Sequence, residues 1–316
     1  SAPSPETLES EGALWNSLWT SYTGAVAKAR RLPAGSLMGY IDGLPQTLPA
    51  AGGHTAKLAL QAKLVDGLKT RDEMRALLIE RGAKDEEHKT FRQVSLAEYL
   101  RRVEPRRGDD AIGVVVAQGE ISDGRAPAGR IGGRSTAELI RKAREDDKIK
   151  AIVLRVDSPG GSAYGAELVR RELELTRRAG KPVVVSMGDL AASGGYWTSM
   201  AADEDIPAEA RVTGSIGVIG MRPTAKGTRD KLGVHTGGVT TTWLGEAYDP
   251  RRDLDPRFAA LVASIIDGSY QDFVGIVAAA RKRTPQQIDA VAQGRVWSGK
   301  DALAHGLVDR PGHFGR

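Results

Sequence analysis

Three short segments combine small residues and hydroxyls in a way that suits acyl chemistry. Asp157–Ser162 reads DSPGGS, Gly188–Tyr196 reads GDLAASGGY and Thr213–Gly217 reads TGSIG. In the first, a Pro-Gly-Gly turn leaves backbone N–H groups uncovered by side chains, and such groups can point at a developing oxyanion. In the second, Ser193 lies between Ala192 and Gly194, small neighbours that let a substrate backbone approach. It stands at a predicted helix N-terminus, where the dipole and free N–H groups favour negative charge. In the third, Ser215 is a small hydroxyl in an apolar strand, and a buried hydroxyl needs a partner. Each segment also has a plainer use when taken alone. The first is then a strand-to-helix turn, Ser193 a helix cap and Ser215 a donor to a backbone carbonyl.

The pattern around these segments predicts an α/β domain. Ala111–Ala117 (AIGVVVA), Ala151–Asp157 (AIVLRVD), Pro182–Met187 (PVVVSM) and Gly214–Gly220 (GSIGVIG) read as buried strands. Between them, helices are expected over Ser135–Asp147, with a capping box of Ser135 and Glu138, over Ala163–Ala179 and over Ala192–Ala201. Near-continuous Val/Ile strands alternating with helices mean a parallel sheet covered on both faces. A long amphipathic helix follows over Pro256–Arg283, then one opening at Thr284–Pro285 with Pro in its first position. Ser298 is placed to cap the last helix and Gly306 to end it.

The chain has 316 residues, more than a typical single domain holds, which suits one full domain and a partial one. The first 107 residues read as mainly helical, with helices over Gly12–Arg30, Thr55–Leu68 and Arg71–Arg81, and a charged connector over Gly82–Arg107. A weak internal repeat explains this arrangement. Lys57–Asp66 reads KLALQAKLVD and Lys300–Asp309 reads KDALAHGLVD, while AVAKARRLP (Ala25–Pro33) and VAAARKRTP (Val277–Pro285) precede them in the same order. Residues 1–107 are therefore expected to be the tail of a first copy plus a connector, and residues 108–316 a nearly complete second copy.

Composition narrows the function classes. The 45 basic and 40 acidic residues leave a net charge of +5 with the signs interspersed, and no basic run is paired with aromatic residues, so nucleic acid is not an expected partner. The clusters Arg101–Arg102 with Arg106–Arg107, and Arg281–Lys282–Arg283, read as solvated helix ends or loops. Absence of cysteine removes a disulfide framework, a thiol nucleophile and cysteine metal sites, and fits an extracytoplasmic compartment without establishing one. No HExxH or clustered His/carboxylate spacing points to a metal, and no cofactor is expected. With no run of about 18 apolar residues and no charged-then-apolar leader, the chain reads as soluble, any anchor lying outside it.

Taken together, in this order and spacing, SPGGS, MGD with AASGGY, and TGSIGVIG resemble the signal peptide peptidase A (protease IV) family, and GVHT (Gly233–Thr236) and GRVWSGKDALAHGLVD extend the resemblance to the C-terminus. The resemblance implies a fold shared with crotonases and the Clp protease subunit, stacked β-β-α units around a twisted sheet. It implies Ser193 as nucleophile, backbone groups around Gly160, Gly161 and Gly194 as the oxyanion hole, and Ser215 as the residue that orients the general base. It also implies peptide substrates such as cleaved signal peptides, a homo-oligomer, reportedly a tetramer, and a place at the bacterial inner membrane facing the periplasm.

The same family pairs its serine with a lysine, which acts as a base only where burial lowers its pKa. In short members that lysine lies between the TGSIG strand and the long helix. Here that window, Val234–Pro256, holds none, and Glu246 stands roughly in its place. In long, duplicated members the lysine comes from the first copy, at or upstream of Ser1. The chain is thus expected to lack its base and to be nearly inactive alone. Lys226, Lys231 and Lys300 are poor substitutes by position. A Ser193/His235/Asp189 triad has no spacing rule behind it, and His305 reads as an ordinary helix-end residue. Two other classes stay open: a crotonase-type acyl-CoA enzyme, which would leave Ser193 without purpose, and a non-catalytic half that binds peptides or drives assembly.

Overall fold

The computed structural model describes residues 3–103, 108–221, 223–234 and 237–312. It divides into two compact units, Ser1–Leu18 with Asp110–Arg316, and Trp19–Asp109. The sequence reading puts the first eighteen residues with the helical part, whereas they group with the larger unit. Glu9 forms a two-pronged ion pair with Arg295 (2.9 Å in each arm), and Ser17 Oγ lies 2.8 Å from Ser298 Oγ.

The larger unit is built on a six-stranded sheet. Its strands are β1 (Ala111–Gln118), β2 (Ile149–Ser158), β3 (Val183–Ala192), β4 (Glu204–Ile206), β5 (Val212–Gly214) and β6 (Val296–Ser298). The order is β6-β5-β3-β2-β1, with β4 also paired to β3. All pairs are parallel except β6 with β5. Ile152, Leu154, Val156, Val183 and Val185 are fully buried, which accounts for their continuous apolar runs. The helices Gly133–Glu145 and Ala163–Arg178 cross over between the first three strands.

Several local expectations are corrected. The helix expected to open on a Ser135/Glu138 capping box begins at Gly133 with no side-chain cap. Ser135 Oγ instead donates to the Gly132 carbonyl (3.2 Å), and Glu138 pairs with Arg125 (2.6 Å). Gly133 holds that start in place, because a Cβ there would lie 2.5 Å from the Cα of Gly165. The strand expected over Gly214–Gly220 leaves the sheet after Gly214, since Ser215 adopts φ +52° and breaks the extended run. The connector over 82–107 contains a short antiparallel pair, Lys84–Asp85 with Thr90–Phe91, and a capped helix Leu96–Arg102; Arg106–Arg107 lie outside the described residues. A further helix, Ser36–Ala50, is hidden from the sequence reading by Pro45 and Pro49 inside it.

The long helix Pro256–Arg281 has the length and apolarity of a membrane span, although Arg257, Asp267 and Asp272 keep it from reading as an apolar run. Its last third belongs to the core of the larger unit, where Phe273, Val274, Val277 and Ala278 are buried. Arg281, which ends it, is not a solvated helix end. Its side chain is 7% exposed, contacts the buried Asp205 carboxylate and lies 3.1 Å from Asp309.

Candidate active site

Strand β3 and the short helix after it meet at Ser193. The helix expected over Ala192–Ala201 is shorter than that, Gly194–Ser199, because β3 runs on through Ala192. Ser193 takes the turn alone, at φ +53° and ψ −122°. That conformation is costly for a residue with a Cβ and survives only where the surroundings over-determine it. Its N–H donates to the Gly214 carbonyl (2.9 Å), and its own carbonyl accepts from Trp197 N–H (2.9 Å). Ser193 occupies the cap position yet its hydroxyl makes no capping bond. The helix-cap use of this serine is thereby removed.

The DSPGGS turn is packed directly against this corner. A Cβ on Gly160 would lie 2.7 Å from the Ser193 Cβ and 2.8 Å from the Gly194 nitrogen. A Cβ on Gly161 would lie 2.3 Å from the Ile121 carbonyl oxygen. Both glycines also have positive φ, +108° and +139°. Ile121 holds the turn from the other side, receiving Ser162 N–H (2.9 Å) and donating to the Gly160 carbonyl (2.8 Å). Buried Ser158 accepts the Gly160 N–H at 3.1 Å. Gly160 therefore has both backbone groups engaged, and its part is to let the turn approach Ser193. The N–H groups of Gly161 and Gly194 donate to no acceptor among the described residues. Gly194 is the first residue of its helix, where an N–H has no intrahelical partner.

Ser215 faces the same cavity. Its N–H donates to the Arg295 carbonyl (2.8 Å), and the next residue, Ile216, accepts from Gly294 N–H (2.9 Å). The cavity, about 540 Å3, is lined by Gly161, Ser193, Gly194 and Ser215 on its polar side. Pro159, Trp197, Val218, Ile219 and Phe273 make the rest mainly apolar. Trp197 packs on Phe273 with ring centres 4.7 Å apart, and its indole N–H donates to Glu167 (2.9 Å). The roles of Ile121, Arg295 and the Trp197–Phe273 pair go unassigned in the sequence reading. Their signal is weak, since each depends on a contact between residues far apart in the chain.

Among the described residues no lysine lines this cavity. Lys226 lines a different, charged one of about 510 Å3. Its amine is held by Asp230 (2.6 Å), with Asp253 at 3.7 Å. Those carboxylates raise its pKa, Asp230 most, which is the wrong direction for a base. Glu246 lines that charged cavity too and pairs with Arg252 at 3.0 Å. Asp189 is largely exposed and paired with Arg211, and His235 lies outside the described residues. His305 packs against Trp297 (4.1 Å), and burial lowers its pKa.

Comparison with known proteins finds similarity to peptidases over part of their length. Residues 176–315 match the model described as Peptidase family S49. The chain is 40% identical over 311 residues to the Protease 4 of Salmonella typhi, covering 98% of this chain and 50% of that protein. It is 36% identical over 302 residues to the Protease 4 of Haemophilus influenzae, covering 94% of this chain and 49% of that protein. The Arabidopsis thaliana protein named "Serine protease SPPA, chloroplastic" is 38% identical over 214 residues, 66% of this chain and 32% of that protein. The chain spans about half the length of the two Protease 4 relatives.

Proposed function

We propose that this chain, which carries a peptidase family S49 domain, is the nucleophile-bearing half of a serine endopeptidase acting on apolar, extended peptides. The observation that carries this reading is Ser193 itself. It is a strained turn residue with a hydroxyl released from capping, beside two N–H groups without acceptors among the described residues. In the reaction Ser193 Oγ attacks the scissile carbonyl carbon, and the N–H groups of Gly161 and Gly194 stabilise the oxyanion. The hydroxyl proton passes to a base and then to the leaving amine, and water releases the acyl group. Ser215 orients that base from across the cavity. We assign the base to a lysine outside this chain, in keeping with the absence of any lysine along the cavity among the described residues. The apolar wall of Trp197, Val218, Ile219 and Phe273 suits peptides such as cleaved signal peptides. The crotonase/Clp-like character of the sheet, assembly as a homo-oligomer, a tetramer by the resemblance, and a periplasmic site at the inner membrane belong to the same proposal.

The repeat reading gains support from paired local geometry. The helices Pro5–Arg30 and Pro256–Arg281 both have 26 residues, begin with Pro and end with Arg. Each is followed by a left-handed residue, Arg31 and Lys282, both at φ +54°. Each terminal arginine pairs with the aspartate of an LVD segment, Arg30 with Asp66 (2.8 Å) and Arg281 with Asp309 (3.1 Å). Lys63 and Gly306, equivalent in the two LVD segments, are again left-handed, at φ +56° and +66°.

A test compares apolar-peptide cleavage by the chain alone with that by a polypeptide joining it to the remaining half of a Protease 4-length sequence. The longer form should turn over, and the chain alone should show little. Efficient cleavage by the chain alone would overturn the assignment of the base. In the active form, Ser215→Ala should lower kcat by about tenfold to a hundredfold with little change in KM, because a mis-set proton acceptor weakens acid–base catalysis. Unchanged kcat in folded Ser215→Ala would leave that serine without the role.

A further inference from the structure

A buried polar cluster lies on the far side of the Ser193 helix. Tyr196, three residues after Ser193, is fully buried, and its hydroxyl donates to the Leu307 carbonyl at 2.6 Å. Two residues on, Asp309 accepts Asp205 N–H through its carboxylate (2.8 Å) and returns its own N–H to the Asp205 carbonyl (3.2 Å). The segment Leu307–Asp309 is thus stitched to β4. Arg281 fastens the other side, contacting the Asp205 carboxylate and lying 3.1 Å from Asp309.

This arrangement matters because the Ser193 helix has six residues. A helix that short does not hold its own direction and takes it from tertiary contacts. All six residues are buried, and Tyr196 makes the one hydrogen bond from a helix side chain to the C-terminal segment among the described residues. Resting on the reading of Ser193 as nucleophile, we infer that Tyr196, Leu307–Asp309 and Arg281 form a positioning device. It sets the pitch of the Ser193 helix and therefore where the Gly194 N–H points. These residues touch no substrate. They act through the oxyanion geometry, where a displacement of about 1 Å can cost about a hundredfold.

Capture of acetyl-leucyl-alanine boronic acid by the chain tests this without requiring turnover. Ser193 Oγ forms a bond to boron, the boron becomes a tetrahedral anion held by the oxyanion N–H groups, and the hydroxyl proton leaves to solvent. Acetyl-leucyl-alanine amide reports binding without that anion. Tyr196→Phe should weaken boronate capture about tenfold or more while amide binding stays within about twofold. Asp309→Asn, at a half-exposed side chain, should give a smaller loss in the same direction and guards against a folding failure in the first variant. Equal boronate affinity in the parent and both variants overturns the proposal. A parallel loss on boronate and amide also overturns it, since it marks a structural role only. Ser193→Ala separates this from the reading beneath it. Capture that survives Ser193→Ala removes Ser193 as the attacking group, whatever Tyr196 does.

Discussion

Ser193→Ala in the active, longer form should abolish peptide cleavage, lowering kcat by at least about four powers of ten. The methyl group cannot form the acyl intermediate, and residual oxyanion stabilisation leaves only weak catalysis over water. The fold should tolerate the change, because the hydroxyl makes no capping bond whose loss would matter. The positive φ of Ser193 is equally strained for alanine, so stability should move little. Steady-state cleavage with a parallel thermal melt checks both halves. A folded variant that still turns over at near-parental rate would remove Ser193 from the mechanism.

The second large effect concerns stability. Arg281→Met should destabilise the larger unit by about 3–5 kcal/mol, since it leaves a buried carboxylate without its cation. The side chains of Arg281 and Asp205 are 7% and 4% exposed, so water cannot take the arginine's place. Replacing Arg281 by Met and Asp205 by Leu together should recover much of the loss. Burial pushes the Asp205 carboxyl up to about 7 against the pull of Arg281. The folded state then holds a proton that the unfolded state releases between about 3.8 and 7, so this group's contribution falls as pH rises through that window. Removing Arg281 raises that carboxyl further, so parent and variant lose stability in parallel below about 7 and the variant's deficit should grow as pH rises above that value. Denaturant melts across pH measure this. A deficit of under about 1 kcal/mol, flat with pH, would mean that the cluster is not a buried charge site.

Much of the site was legible because it rests on residue types. Gly160 and Gly161 had to be glycines, since a Cβ there would meet backbone atoms and, at Gly160, the Ser193 Cβ, whereas at Gly194 it would meet the Ile121 side chain at 3.2 Å. The parallel strands were legible from continuous apolar runs, as in Ile152 to Val156. What escaped was decided by local geometry and packing that residue types leave open. That Gly160 N–H is taken by Ser158, and so is not free for an oxyanion, depends on a buried hydroxyl with several possible partners. Ser215 ends its strand through a left-handed backbone that no propensity favours. Arg281 looked like one member of a basic run, yet it continues the buried stripe Val274, Val277, Ala278 at helical spacing. That spacing was the available signal, and the charge concealed it.

The central claim is that Ser193 is the nucleophile and that its base comes from outside this chain. Fluorophosphonate labelling followed by peptide mass mapping tests it most directly, on the chain alone and on the longer form. The account predicts an adduct on Ser193 in both, formed far faster in the longer form and slowed there by replacing one lysine outside this chain. An adduct on another residue, or equally fast labelling of the chain alone, would contradict it.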